Sequence, residues 1–505
     1  MLRQLRNILT ALSLLLCVAV AAPGIRWPAL DRDPGWDGVR NRVPAEVRRK
    51  RQDIGYVPPA AGRSGRVGGT VWRAIEPAYY GKVVGPFSFD DRLSCSGTLS
   101  LSRAAATVGW QNGSSVFVGF FDHRAQGWRP VNFVGFRLEG YNEPDGATIE
   151  VGYGTSRWTA GGAFVNAAGG VQQRQVTELE GAKLLRVAPD GKPHTWALRY
   201  EPEPAGDSGG ASARDADAGA GGKVTLTFDG VESSVTISPQ HRRHGATFDR
   251  FGLFNAQIPG NEMELYLGDL TVNGLRENLA ADPRWDGRGN RREINDSLAY
   301  GANDFGFAPA ERAIGGRLWR VGTSDDAFKG YSGDRVGRLT LDDRLVASGR
   351  MRVPRFCVDS GMHFGWFHSK EQGWPPKNFV GVYLDSLSSD GRFITPMYGT
   401  RGARLAKAED GKASLVGAAH GPARPLFDPD GSAYRWRLEY DPAANKGGGA
   451  VTLWLGDEKT VLSLAARARA DGAEFDRFGL FNMQDNNGKD CLIYLDELSY
   501  TAGGR

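Results

Sequence analysis

Sulfur and imidazole are scarce in this chain. Its 505 residues include four cysteines, seven histidines and six methionines. Cys17 falls in an N-terminal apolar run, which leaves Cys95, Cys357 and Cys491, and their spacing matches no metal motif. Cys357 and Cys491 share the second half of the chain and are the disulfide candidate, permissible if the chain is exported. Cys95 has no such companion and reads as a buried thiol. No histidine stands with acids or thiols at ligand spacing, so no metal centre is predicted. Other absences are as informative. There is no Gly-x-Ser-x-Gly elbow in a strand-to-helix setting and no phosphate-cradling glycine loop, which removes the common triad and nucleotide classes. Past the first 22 residues no apolar run reaches the length of a membrane span. Long amphipathic helices are missing. The net charge is only +4, and Arg48-Arg49-Lys50-Arg51 is a single short basic run, read as an exposed loop. A nucleic-acid partner is therefore not expected.

What is present begins with a leader. Arg3 and Arg6 precede the apolar stretch Ile8–Val20, and Ala19-Val20-Ala21 places small residues where a signal peptidase cuts. Bulky Leu16 before Cys17 argues against lipidation. Residues 1–22 read as a signal peptide, which implies a secreted, periplasmic or cell-envelope protein. The Gly/Asp-rich, Arg-over-Lys composition points to a bacterial source.

The strongest signal is internal duplication. Asp33-Pro34-Gly35-Trp36-Asp37-Gly38, followed by Asn41-Arg42, returns as Asp282-Pro283-Arg284-Trp285-Asp286-Gly287, followed by Asn290-Arg291. In the same order Gly68-Gly69…Trp72-Arg73 matches Gly315-Gly316…Trp319-Arg320, Asp90-Asp91-Arg92-Leu93 matches Asp342-Asp343-Arg344-Leu345, and Gln126-Gly127-Trp128 with Asn132-Phe133-Val134-Gly135 matches Gln372-Gly373-Trp374 with Asn378-Phe379-Val380-Gly381. Phe248-Asp249-Arg250-Phe251-Gly252-Leu253-Phe254-Asn255 recurs without change at 475–482. A period this long is a domain duplication, not a solenoid. The division expected is a leader over 1–22, an N-terminal arm over 23–66 and two domains over 67–276 and 277–505. Each Trp-Asp-Gly segment opens its copy and is read as a packing arm that seals the sandwich end, not as a binding motif. Between Trp196 and Val224 the first copy has thirteen residues more than the second has between Trp436 and Val451. They lie in the Gly/Ala/Ser/Asp stretch Ala205–Gly222, against the shorter Ala443–Gly449, and read as a surface loop.

Period-two alternation marks strands, as in His194–Tyr200 and Tyr434–Tyr440, with Asp190-Gly191 and Asp430-Gly431 as preceding turns. Phe117–Phe121, Phe133–Leu138, Phe364–Phe367 and Phe379–Leu384 read as central strands whose glycines allow close packing. A short helical turn is expected within Leu464–Ala470. The fold class is all-β: two tandem antiparallel β-sandwiches with jelly-roll topology.

This strand order, with the Tyr-Arg-Trp-Arg-Leu-Glu-Tyr strand, the repeated octapeptide and the closing Ile493–Leu498, resembles the concanavalin A-like lectin/glucanase superfamily, here as two laminin G-like jelly rolls. The resemblance implies either sugar binding or polysaccharide cleavage. Hydrolases of that superfamily show a Glu-x-Asp-x-x-Glu-like strand, and none is present. Glu262 and Glu264 share a strand face but have Asp490 and Leu492 opposite them in the second copy. Asp269 matches Glu497. These acids, and the Asp90-Asp91 and Asp342-Asp343 pairs, read as strand-edge and turn residues. No cofactor is predicted. A structural Ca²⁺ is the one metal the loops would admit, with Asp485-Asn486-Asn487-Gly488 as a source of oxygens.

The candidate ligand site is the hairpin loop of each copy. It carries His123, Arg124, Gln126, Trp128 and Asn132 in the first and His368, Lys370, Gln372, Trp374 and Asn378 in the second, with Tyr153 and Tyr398 as possible extensions. An aromatic plate beside amides and a cation matches the needs of a sugar ring. The competing structural account makes these residues sandwich-edge packing. The functional expectation is an exported, non-catalytic carbohydrate-binding or adhesion-type protein, its partner a glycan or cell-envelope polysaccharide. A glycoside hydrolase or lyase on the same fold is the first alternative, and a structural envelope module the second.

Overall fold

The computed structural model describes residues 23–503 except 44–46, 61–63, 105–112, 125–126, 128–129, 141–145, 163–184, 205–219, 298–302, 320–328, 358–359, 373–375, 388–390, 403–424, 466 and 484–489. The leader, most of Ala205–Gly222 and the Asp485–Gly488 loop lie outside these residues. The chain is nearly all β, and every strand pairing is antiparallel. No helix among the described residues is long and apolar enough to cross a membrane. The short turn near Leu464–Ala470 appears as Ala468–Asp471, with an unforeseen counterpart at Pro239–Arg243.

Among the described residues four large sheets form two pairs. The back sheet of the first unit runs, strand by neighbouring strand, through Val231–Ile237, Gly222–Phe228, Pro193–Pro202, Leu93–Ala104, Glu262–Val272, Arg66–Trp72 and Asp53–Val57. Its front sheet runs through Ala160–Gly162, Ala147–Gly154, Phe133–Glu139, Ser115–Phe121, Thr247–Asn255 and Tyr79–Ser88. The second unit repeats both orders, from Glu458–Ser463 to Asp304–Ala308 in back and from Gly391–Gly399 to Tyr331–Thr340 in front. One core lies between each pair. Trp196, Leu198, Tyr200 and Leu226 from the back meet Val118, Phe120, Phe136 and Phe251 from the front in the first unit. Trp436, Leu438 and Tyr440 meet Phe364, Val380 and Phe478 in the second. Alternation in the strands supplies the inward residues.

The front sheets are buried on their other face too. Phe117, Phe121, Phe133 and Phe254 form a second aromatic cluster there, matched by Phe367, Phe379, Tyr383 and Phe481. The glycines of these strands line up side by side. Gly81, Gly252, Gly119, Gly135 and Gly152 are successive cross-strand partners, and Gly333, Gly479, Gly365 and Gly381 repeat the row. Rings fold over them. A Cβ on Gly135 would sit 2.6 Å from the Phe133 ring, and one on Gly381 2.5 Å from the Phe379 ring. Flat aromatics thus occupy the space above a side-chain-free row.

The arms do not close their own units. Gly24–Arg26 pairs with the last strand of the second unit, Asp490–Ala502, and Asp37–Val39 is the edge strand of the second front sheet, beside Tyr331–Thr340. Reciprocally, Asp286–Arg288 is the edge strand of the first front sheet, beside Tyr79–Ser88. Trp36 meets Tyr500 edge-on at 6.0 Å, and Trp285 packs on Tyr80 and Phe251. Asp37 is gripped by Arg477 Nη2 at 2.6 Å and by Arg335 Nε at 3.0 Å, while Asp286 is gripped by Arg250 Nη2 at 2.7 Å. Asn41 donates to the Phe305 carbonyl at 2.6 Å, and Asn290 to that of Ile54 at 2.9 Å. Each motif is therefore seated in the other unit and not in the copy that it opens. The edge of a sheet accepts any extended segment of the right chemistry, and sequence spacing does not say whose edge that is.

Between the crossing arms, Val47–Arg51 pairs with Glu293–Ser297. The basic run is thus a strand and not an exposed loop. Lys50 is buried, donates to the Gly260 carbonyl at 2.6 Å and lies over the Trp72 ring, whereas Arg49 and Arg51 are exposed. Alternation in the strand turns Lys50 inward. The units also touch directly. Arg392 donates to the Trp158 carbonyl at 2.8 Å and stacks on its ring, and Arg355 donates to the Gln257 carbonyl at 2.7 Å. Trp158 is held at φ +61°, a conformation that a bulky residue adopts only when its surroundings impose it.

Cys357 and Cys491 are free thiols, as is Cys95. Phe356 is the cross-strand partner of Cys491, and both face the core. Cys357, one residue on, contacts Arg355 and Asp490 instead. The period of two that makes the pair close in sequence register turns the two sulfurs to different sides.

Two outcomes follow. Gly252→Ala would put a Cβ 2.3 Å from the Tyr80 carbonyl oxygen and is expected to cost about 1–3 kcal/mol, against no loss for Gly24→Ala, which meets nothing within 4 Å; thermal melts compare them. Burial pushes the carboxyls of Asp37 and Asp286 up, but the arginine hydrogen bonds outweigh it and hold both below the ordinary value of 3.8. A lowered folded value stabilises the docked state above the ordinary value, and this contribution fades as pH falls through the folded one. Arm protection against limited proteolysis should thus be constant near neutrality and be lost below about pH 4.

Candidate functional site

The hairpin loop of each unit is built on the repeated octapeptide strand. In the first unit Asp249 accepts from the His123 backbone N–H at 2.9 Å and pairs with the His123 Nδ1. In the second, Asp476 accepts from Ser369 N and Oγ, both at 2.7 Å. The same carboxylate thus ties down the start of the loop in both copies. The far end is tied by an asparagine. Asn132 and Asn378 stand at φ +52° and +46°, in the left-handed region that Asn tolerates. Asn132 Oδ1 accepts from Thr247 N at 3.2 Å and Ser156 Oγ at 2.6 Å, and Asn378 Oδ1 accepts from Glu474 N at 3.0 Å. Their carbonyls take the N–H groups of Asp122 and His368, both at 3.2 Å, which closes each loop on itself.

The framed loops present different side chains. Asp122 is buried and binds Arg124 through Nε, Nη2 and the backbone N–H at 3.1, 2.9 and 2.8 Å. Burial pushes its carboxyl up, but the Arg124 bonds hold it below the ordinary range. The Arg124 side chain remains 70% exposed, a cation held out from a rigid base. Lys370 is exposed at the matching place, His368 is half-buried, and Gln372 donates to the His368 carbonyl at 3.1 Å. Gln126, Trp128 and Trp374 lie outside the described residues. Asn132, Asn378 and Gln372 therefore serve the loop backbone, while Arg124 and Lys370 face solvent.

Tyr153 and Tyr398 do not extend this surface. Both are core residues at 3% exposure. The outward neighbours in the first unit are Gly152 and Gly154, so period two turns Tyr153 inward. The Tyr153 hydroxyl meets His241 Nδ1 at 2.8 Å, and that of Tyr398 accepts from Ala465 N at 2.8 Å. Burial raises the Tyr398 phenol above its ordinary value.

Two groupings escaped the sequence. Asp122, His123 and Asp249 bring one ligand atom each within 4.8 Å of one another. Asp249 is 126 positions from His123, so spacing rules do not see it. These are the described residues best placed to hold a cation, although Arg124 and His123 already engage the carboxylates. The second grouping is ionic and buried on the outer side of the first front sheet. Arg137 pairs with Glu150 across neighbouring strands and with Glu139 at 3.5 Å, and Arg73 reaches Glu139 at 3.4 Å. Its only signal was two charges inside the otherwise apolar run Phe133–Glu139. The second unit has Tyr383 and Asp385 there, hydrogen-bonded to each other.

The remaining acids take structural partners. Glu262 and Glu264 lie 3.6 and 3.7 Å from Arg103. Asp269 and Glu497 both sit at positive φ where the strand register shifts, which marks matching bulges. Asp91 accepts from Ser88 N, and Asp343 from Thr340 N, each at 2.8 Å, as turn residues do.

No protein-family profile matches the chain, and no curated protein matches it. Among solved structures it is similar to domains LG4-5 of the mouse laminin α1 chain (12% identity, 86% of this chain and 91% of that one, TM-score 0.21). It is also similar to peanut lectin (10%, 37% and 85%, 0.21) and to the seed lectin of Lotus tetragonolobus (11%, 37% and 87%, 0.22). Likeness at this level assigns no function.

The frame and the ionic group are separable by mutation. Arg137→Leu leaves Glu139 and Glu150 without their shared cation and is expected to destabilise by roughly 3–5 kcal/mol. Asn132→Ala removes two accepted hydrogen bonds and a tolerated left-handed residue, for a loss of about 1–3 kcal/mol. Chemical denaturation of the variants measures both.

Proposed function

We propose that this is an exported, non-catalytic protein of the carbohydrate-binding or adhesion type, and that the loops 122–132 and 368–378 are its glycan-contacting elements. The observation that carries the reading is the frame itself. Two loops some 250 residues apart in sequence are pinned at both ends by the same aspartate and asparagine, yet the side chains they hold outward differ. A shared frame with variable display is what a binding loop needs, because a fixed backbone lowers the entropy lost on binding. The exposed cation of each loop, Arg124 or Lys370, stands in the same short segment as a tryptophan, Trp128 or Trp374. A sugar ring would stack its apolar face on the indole and pair its hydroxyls or acidic groups with the cation and amides. Two such loops on one chain favour a polymeric ligand, a cell-envelope or extracellular polysaccharide, through effective concentration. Removal of residues 1–22 and a location in the envelope or outside the cell complete the reading, with each sheet pair taken as a concanavalin A-like jelly roll.

The test is a glycan array probed with the chain and with Trp128→Ala/Trp374→Ala. At least a tenfold loss of apparent affinity, about 1.4 kcal/mol, at an unchanged melting temperature is expected. A wild-type chain that binds no glycan, with a double variant that melts early, would assign the tryptophans to packing and overturn the reading.

A further inference from the structure

The exchange of arms describes a recognition site as well as a fold. The seat on the second unit reads a short acidic-aromatic segment through several independent contacts. Arg335 and Arg477 converge on the Asp37 carboxylate, Tyr500 takes the Trp36 ring, and Tyr331–Gly333 accepts Asp37–Val39 as an added strand. Arg26 pairs with Asp334, and Arg42 with Asp304. The first unit holds Trp285-Asp286-Gly287 by related contacts: Arg250 stands in the place of Arg477 and Gly81 in that of Gly333, while the Tyr79 hydroxyl and not a second arginine completes the grip on Asp286, and Trp285 packs on Tyr80 and Phe251. Motif and seat are thus a matched pair, and the molecule already uses the pair between two bodies.

The two arms are seated differently: Trp36 is only partly buried, whereas Trp285 is 8% exposed, and the edge strand of either arm has only three residues. The exposed residues of the first arm are mixed, with the charged Asp31, Arg32, Asp33, Arg40 and Arg42 beside three large apolar side chains. Ile25, Trp27 and Val39 are 43, 71 and 42% exposed, and they make up three of the seven exposed large apolar side chains among the described residues. These three side chains are apolar area that a second body seated on the arm would cover.

We propose that the arm Gly24–Arg42 is an exchangeable latch, and that the seat it fills on the second unit is a docking site for the same segment of a second copy of this chain. Two chains that trade arms remake every contact they break, so the added cost is that of association, offset in part by covering Ile25, Trp27 and Val39. In a single chain the tether holds the arm at an effective concentration of about millimolar. The latch therefore stays closed in dilute solution and opens to exchange where chains are crowded.

The test uses two full-length variants. Trp36→Ala/Asp37→Ala disables the latch and leaves the seat open. Arg335→Ala/Arg477→Ala disables the seat and leaves the latch free. A fluorescent peptide of residues 30–42 should bind the first variant and bind the second at least tenfold more weakly, and a peptide with both substitutions should not bind either. By sedimentation velocity each variant alone should be monomeric, and their mixture should form a one-to-one complex. If the seat-dead variant does not fold, peptide binding to the latch-dead variant decides alone. A latch-dead variant with a native melting profile that binds no peptide, or a mixture of two folded variants that stays monomeric, overturns the proposal.

Discussion

The octapeptide strand Thr247–Asn255, and its copy Glu474–Asn482, is the constraint on which the rest depends. Every residue of Phe-Asp-Arg-Phe-Gly-Leu-Phe-Asn has a task. The first two phenylalanines and the leucine fill the core between the sheets, and the third builds the aromatic cluster on the opposite face. The aspartate anchors the hairpin loop and the arginine holds the arm of the other unit. The glycine takes its place in the side-chain-free row. The asparagine accepts from Ala78 N and donates to the Glu76 carbonyl, as Asn482 does with Gly330 N and the Trp319 carbonyl. An element whose two faces and both edges are committed leaves no position free to vary.

Because the loop anchor and the arm anchor are adjacent residues of one strand, the candidate binding loop and the joint between units share a support. The joint itself has the logic of a two-fold contact. Arm meets seat twice, Asn41 and Asn290 play the same part on opposite sides, and Val47–Arg51 crosses Glu293–Ser297 between them. A self-complementary surface of this kind is how two identical chains associate, and here the two copies are covalently joined.

The copies differ where the frame does not constrain them. His123 and Arg124 are replaced by Ser369 and Lys370 on loops of the same construction. The ionic group around Arg137 gives way to Tyr383 and Asp385 beside His363, whose ring stacks on Phe481 and Tyr383. In the first unit Arg137 is buried between Glu150 and Glu139, and in the second the Tyr383 hydroxyl is buried on Asp385, pairings that a low-dielectric interior favours. The two units therefore share an architecture and present distinct chemistry to solvent.

The sequence by itself determined the all-β character, the recurrence of the octapeptide, the turn duty of Asp91 and Asp343 and the buried state of Cys95. These depend on period two, on turn chemistry and on identity between copies, all of which are local or directly comparable along the chain. Only the tertiary structure decided which unit each Trp-Asp-Gly arm completes, that Lys50 is inside a crossing strand, that Tyr153 and Tyr398 face the core, and that Cys357 and Cys491 point apart. It also brought Asp249 to His123 and Glu150 to Arg137. The physical reason is common to all of these. Antiparallel pairing fixes which residues are neighbours and which face they share, but its partners are set by sheet edges and register, and those are created only when distant segments of the chain meet.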